Sequence, residues 1–244
     1  MKQKFKIFLL LFAVFLFSCK KENMKDFYKG TGETITETRN ISGFNTIYVE
    51  DKVNVFITES PTFEVKVECG EHLINLVKTE LKDTVLKIRN DNKCNFMRSY
   101  KKGVINVYIQ MPLTVSIQQF GQGTIQSTNV LTTPVIDVLT KGSGDVILEV
   151  NNQKVLTHMH NTSDIYLSGR TLEHDCYQIH YGFLFAKNLD TDYTWIFNNG
   201  TGNSYLKASN LLIATLRSAG DVYYYGNPGT VQKEVSGSGK LIAQ

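Results

Sequence analysis

Apolar and polar residues alternate along most of this chain with a period of two, the spacing of half-buried strands. The first half gives Ile47-x-Val49, Val53-x-Val55-x-Ile57, Phe63-x-Val65-x-Val67, Leu86-x-Ile88, Ile105-x-Val107-x-Ile109-x-Met111 and Val115-x-Ile117. Between them, Leu73, Ile74, Leu76 and Val77 within Glu71 to Thr79 predict one short helix. It is expected to cap the end of a strand stack, because bare strand edges invite aggregation.

The second half repeats itself. Small-residue clusters recur at Gly121-Gln122-Gly123, Gly142-Ser143-Gly144, Asn161-Thr162-Ser163, Tyr181-Gly182-Phe183, Gly200-Thr201-Gly202, Ser218-Ala219-Gly220 and Gly237-Ser238-Gly239. Their centres are 21, 19, 20, 19, 18 and 19 residues apart. Alternating apolar positions flank each cluster, as Ile136-x-Val138 and Val146-x-Leu148 do, so every repeat supplies strand, tight turn, strand. One such unit cannot bury its own apolar face. Stacked units can, and a period near 19 predicts a parallel β-solenoid. The calcium-binding β-roll needs a nine-residue period, so calcium is not implied. The turn glycines serve either a positive φ or the close approach of stacked backbones.

The N-terminus carries an address. Lys2, Lys4 and Lys6 precede the apolar run Ile7 to Phe17, and Ser18 stands before Cys19. The run is too short to span a bilayer, and it reads as the leader of a bacterial lipoprotein whose Cys19 is acylated. Residues 1–18 are therefore expected to be a signal peptide, 19–40 a polar tether, and 41–244 one domain, with strands and the short helix over 41–120 and glycine-turn repeats over 121–244. The membrane is then a partner only through the lipid anchor.

Charge adds little. The net +3 resides in the leader, since without its three lysines the chain holds 23 basic and 23 acidic residues. A neutral domain gives no electrostatic reason to bind nucleic acid. Of the remaining cysteines, Cys69 falls on the apolar face of a strand and Cys94 in a polar stretch. Spacing leaves open whether Cys69 stays a buried thiol or pairs with Cys94.

Both ends of the domain resemble a known family. Arg39 to Ile47, Val53 to Thr58 and Asn75 to Glu80 look like the start of the bacterial GIN-domain family, described as an auto-transporter adhesin head. Gly220 to Pro228 and Val235 to Gly239 look like its closing repeats. The resemblance implies a right-handed parallel β-helix in a cell-envelope protein, and it implies no catalytic residues. The chain departs from the pattern at Asn161 and at Tyr181-Gly182-Phe183, where glycine pairs are lost.

Candidate chemistry is sparse. Ser236 to Lys240 lacks the Ser or Thr that a phosphate-binding loop requires after its lysine, because Leu241 stands there. His158 and His160 share a face with His180 about one rung away, yet no carboxylate pattern accompanies them, and neither a metal nor a cofactor is expected. Asp145, Asp164 and Asp221, with Asn203 in a fourth rung, follow the turns at equivalent positions. Asn can replace Asp there, which favours backbone hydrogen bonding over acid chemistry. If Val146, Ile165, Val222 and Leu241 point inward, then Ile147, Tyr166, Tyr205, Tyr223 and Ile242 form an outward row. This row is the candidate binding surface. Trp195 reads as a local packing residue.

These features suggest a non-catalytic envelope lipoprotein that recognises a glycan or protein partner, on a bacterial membrane, most naturally the outer one. A pectin-lyase-like enzyme is the alternative. It would need an outward cluster of acids with Lys or Arg across adjacent rungs, and the sequence assembles none. A self-associating structural protein is the third reading. The structural turns are expected at Gly121, Gly123, Gly142, Gly144, Gly200, Gly202, Gly220, Gly237 and Gly239.

Overall fold

The repeat units close into rungs because each tight turn returns the chain alongside the unit before it. The computed structural model describes residues 31–92 and 103–244, so the leader, Cys19 and Cys94 lie outside the described residues. From β8 (Ser116–Gln119) and β9 (Ile125–Ser127) onward the rungs follow chain order. They continue through β10 (Val135–Thr140), β11 (Val146–Met159), β12 (Ile165–His180), β13 (Leu184–Gly200), β14 (Ser204–Lys207), β15 (Leu211–Leu216), β16 (Val222–Tyr225), β17 (Thr230–Val235) and β18 (Leu241–Ala243). Neighbours are parallel, and the stack is a β-solenoid of about 7 turns with roughly 19-residue spacing. The long strands β11, β12 and β13 each cross a corner and serve two faces: their second halves pair with β10 and β15, their first halves with β9 and β14.

The N-terminal rungs are built out of order. The rung of β2 (Thr46–Val49) and β3 (Asn54–Glu59) pairs with β8 and β9 on one side. On its other side lie β6 (Val85–Asn90) and β7 (Asn106–Met111). Antiparallel strands close this end: β5 (Val77–Lys82) on β6, β4 (Glu64–Gly70) on β7, and β1 (Thr34–Arg39) on β4.

Two expectations are corrected here. The stretch assigned to the tether contains β1, whose Ile35 lies opposite Cys69, so ordered structure starts before residue 41. The short helix contracts to a single 3-10 turn at Ile74–Leu76. Val77 is drawn into β5 opposite Asn90, which takes the rest of the segment with it. Leu73, Ile74 and Val77 are buried as the pattern required, and the cap is made of strands.

Inward positions stack in columns. Leu86, Ile47, Ile117, Val138, Thr157, Cys176, Ile196 and Ala214 follow one another in register and are all buried. On the other face Val107, Val55, Ile125, Val146, Ile165, Leu184, Ser204 and Val222 do the same. Each fully buried Val, Leu or Ile contributes about 1.5–3 kcal/mol, so the columns bind every rung to its neighbours.

Of the two roles open to the turn glycines, close approach holds. None of the predicted turn glycines has a positive φ. A Cβ on Gly142 would overlap the carbonyl oxygen of Gly121, and one on Gly144 that of Gly123. Gly182 belongs to the same column: it sits over Ser163, and Gly202 sits over it. Where the first glycine of a pair is missing, Asn161 takes a φ of 65° and donates from its amide to the carbonyl of Lys141. Buried amide side chains brace the turns from inside. Gln178 Nε2 donates to the carbonyls of Gly182 (2.7 Å) and Gly202 (2.9 Å), and Asn198 Oδ1 accepts from the Gly200 amide at 2.9 Å.

Candidate binding surface

Strand register places the predicted outward row on consecutive rungs. Ile147 is paired with Tyr166, Tyr166 with Phe185, Phe185 with Tyr205, Tyr205 with Tyr223 and Tyr223 with Ile242. Phe185 completes the row, and the sequence reading missed it because the degenerate turn at Tyr181-Gly182-Phe183 hid its phase. Ring centroids are 4.7 Å apart for Tyr166 and Phe185, 5.5 Å for Phe185 and Tyr205, and 4.9 Å for Tyr205 and Tyr223. Interplanar angles are 13°, 3° and 9°. Rings held this way cover one another's faces and turn their edges and hydroxyls to solvent. The same column continues past Gln126 to Phe56 and Tyr108, stacked at 5.1 Å.

The post-turn acids act on the backbone. Asp145 Oδ1 accepts from the Asp164 amide at 3.1 Å, and Asp164 Oδ1 from the Phe183 amide at 2.8 Å. Asn203 Oδ1 accepts from the Asp221 amide at 2.9 Å, and Asp221 Oδ1 from the Lys240 amide at 2.7 Å. Asn54 begins the series by accepting from the Thr124 amide at 3.1 Å. Burial pushes the Asp164 carboxyl upward, against the hydrogen bond from Phe183.

The face formed by the second halves of β11, β12 and β13 carries what the sequence reading did not assemble. Lys154 Nζ lies 2.6 Å from Asp175 Oδ2 and 3.0 Å from Glu173 Oε2, so two acids and a lysine do meet across adjacent rungs. The hydrogen bonds it donates to Asp175 and Glu173 raise the Lys154 ammonium, which keeps it protonated and unsuited to act as a base. Beside this cluster, Tyr193, Trp195 and Phe197 project outward from β13, with Tyr193 in register with Glu173 and Trp195 with Asp175. Trp195 is 38% exposed, so its ring is partly covered and partly at the surface. Among the remaining candidates, His158 Nε2 lies 3.6 Å from Asp137, and His160 is depressed by burial, then by Lys141 and by its neighbours His180 and His158. No group of three His, Cys, Asp or Glu among the described residues could hold a metal ion. Cys69 and Cys176 are buried free thiols, whereas a Cys69–Cys94 pair falls outside the described residues.

Residues 43–228 match the family described as "Putative auto-transporter adhesin, head GIN domain". This chain belongs to that family. No curated protein matches it significantly. Among solved structures, a protein of Bacteroides fragilis described as a putative adhesin is similar at 23% identity, with 87% of this chain and 97% of that chain covered and a TM-score of 0.81. A Parabacteroides distasonis protein of the same description has 18% identity, covers 88% and 98%, and reaches a TM-score of 0.69. Another P. distasonis protein, described as a putative lipid binding protein, has 16% identity, covers 87% and 98%, and reaches 0.66. At these identities the likeness is one of fold: the GIN domain is a shared solenoid scaffold whose site must be argued from its own surface.

Proposed function

We propose that this GIN domain is a non-catalytic adhesion module, anchored to the bacterial envelope through an acylated Cys19, that grips a protein partner along the row from Ile147 to Ile242. The family description and the adhesin relatives support an adhesive role. The stacked row carries the choice of partner. Rings whose faces are already covered have no platform left for a sugar, but a ribbon of edges, hydroxyls and Ile side chains suits a flat protein surface. The outer membrane, on its periplasmic or surface side, is the natural location for such a tether.

The catalytic alternative is weaker because the outer cluster of Lys154, Glu173 and Asp175 holds its lysine charged. The decisive test uses beads coated with wild-type protein or with the triple variant Tyr166→Ser, Tyr205→Ser, Tyr223→Ser on a panel of immobilised extracellular-matrix proteins. The variant should stay folded and lose adhesion. Equal adhesion by both, or loss of melting temperature without any wild-type adhesion, overturns the reading. Separately, Cys19→Ala should move the protein from the membrane to the soluble fraction or leave it unprocessed.

A further inference from the structure

The corner where β10 turns into β11 collects positive charge. Lys141 and His160 hold equivalent positions on adjacent rungs, because Thr140 and Met159 before them are register partners. His158 lies two residues before His160 and shares its side of the strand. His180 stands at the next turn, in the column that holds Gly121, Gly142, Asn161 and Gly200 in the other rungs. Lys141 and His180 are exposed, and the His158 side chain is 44% exposed, so the group opens on solvent.

Two features set this corner apart. His180 is held at a φ of 74°, which glycine adopts freely and a residue with a Cβ adopts at a cost. Asn161, at 65°, uses its amide on the carbonyl of Lys141, whereas the His180 ring makes no hydrogen bond among the described residues. The charges acting on His160 are those of Lys141, His180 and His158, and each adds to the lowering that burial begins. Asp137 faces the group through His158, 3.6 Å away, and the Tyr177 ring lies 6.2 Å from that of His160.

We infer that Lys141, His158, His160 and His180 form an acid-dependent site for a phosphate or sulfate ester. At pH 8, where an imidazole is ordinarily neutral, Lys141 and Asp137 cancel; in acid, three imidazolium charges are added with no further carboxylate to balance them. An anion is the ligand that relieves such a group. A tetrahedral ester offers three oxygens to donors arriving from successive rungs, where a carboxylate offers two. No residue of the row from Ile147 to Ile242 takes part, so either site can fail without the other.

Full-length processed protein is titrated by calorimetry at pH 5.5 and pH 8 with glucose 6-phosphate, glucose 6-sulfate, acetate and glucose. At least one ester should bind at pH 5.5 and lose roughly tenfold or more in affinity at pH 8, with acetate and glucose silent. His180→Gly restores the glycine of the column. It should melt no lower than wild type and yet bind the ester roughly tenfold more weakly. His160→Gln should remove most of the pH dependence. Reciprocally, bound ester should raise the pH at which the His160 ring titrates by NMR. Silence of both esters at both pH values overturns the proposal, as does equal binding at the two, or wild-type binding by His180→Gly. Acetate binding as tightly as the esters overturns it in favour of diffuse charge attraction. Stoichiometric zinc binding that His160→Gln abolishes overturns it by assigning the imidazoles to a metal.

Discussion

A side chain on Gly142 would run into the carbonyl oxygen of Gly121, one rung away. That oxygen has little freedom to yield, since it accepts the amides of Ser143 at 2.9 Å and Gly144 at 3.1 Å. Gly142→Ala should therefore destabilise the domain by about 2 kcal/mol or more, visible as a melting temperature several degrees lower. Gly229→Ala is the control. Its Cβ would come no closer than 3.5 Å to any atom outside its own neighbours, and melting should hardly change. Equal melting of the two variants would mean that rung spacing relaxes to admit a methyl group.

The ladder of Asp145, Asp164, Asn203 and Asp221 predicts a specific asymmetry. Each side chain accepts a backbone amide of the next rung, which an amide oxygen does as well as a carboxylate. Asp164→Asn should stay within about 0.5 kcal/mol of wild type, helped by removal of a charge that burial disfavours. Asp164→Ala should lose about 1–2 kcal/mol, because it strands the Phe183 amide. Chemical denaturation of the pair checks this, and a larger loss for Asn than for Ala would refute the backbone role.

The repeat made the solenoid legible, because period, alternation and small turn residues are local properties that a sequence displays directly. The phase of Tyr166, Tyr205 and Tyr223 followed from the turns, and the strand register agrees with it. Phe185 escaped because its turn lacks a glycine pair and β12 shifts register against β13 between Tyr166 and Ser168. Rung order at the N-terminal end was not legible. That β6 and β7 lie on the far side of β2 and β3 depends on pairings dozens of residues apart, which no local pattern encodes. The Lys154, Glu173 and Asp175 cluster was hidden for the same reason: its members share a face only once the corners of β11 and β12 have placed those half-strands side by side.

Two thiols should be chemically silent in the folded protein. Burial pushes the Cys69 thiol up to about 11 and the Cys176 thiol up to about 12, so neither supplies thiolate at neutral pH. Iodoacetamide at pH 8, followed by peptide mapping, should leave both unmodified in buffer and modify both in denaturant. Native-state labelling of Cys176 would show that β12 opens locally.

Acid should destabilise the stack through His174. This imidazole is buried in the inward column between Val155 and Thr194, with Nε2 3.2 Å from the hydroxyl of Thr157. Burial holds it down from 6.5 to about 4. The folded state thus binds this proton less readily than the unfolded chain does, and its neutral form carries no penalty above pH 6.5. As pH falls from 6.5 toward 4 the unfolded chain gains the proton first, and stability declines by up to roughly 3 kcal/mol. His174→Gln keeps a polar side chain beside Thr157 and removes the titration. Denaturation midpoints measured between pH 7 and pH 4 should therefore fall for wild type more steeply than for the variant. Parallel pH profiles for the two proteins would show that His174 admits water or a proton without opening the core.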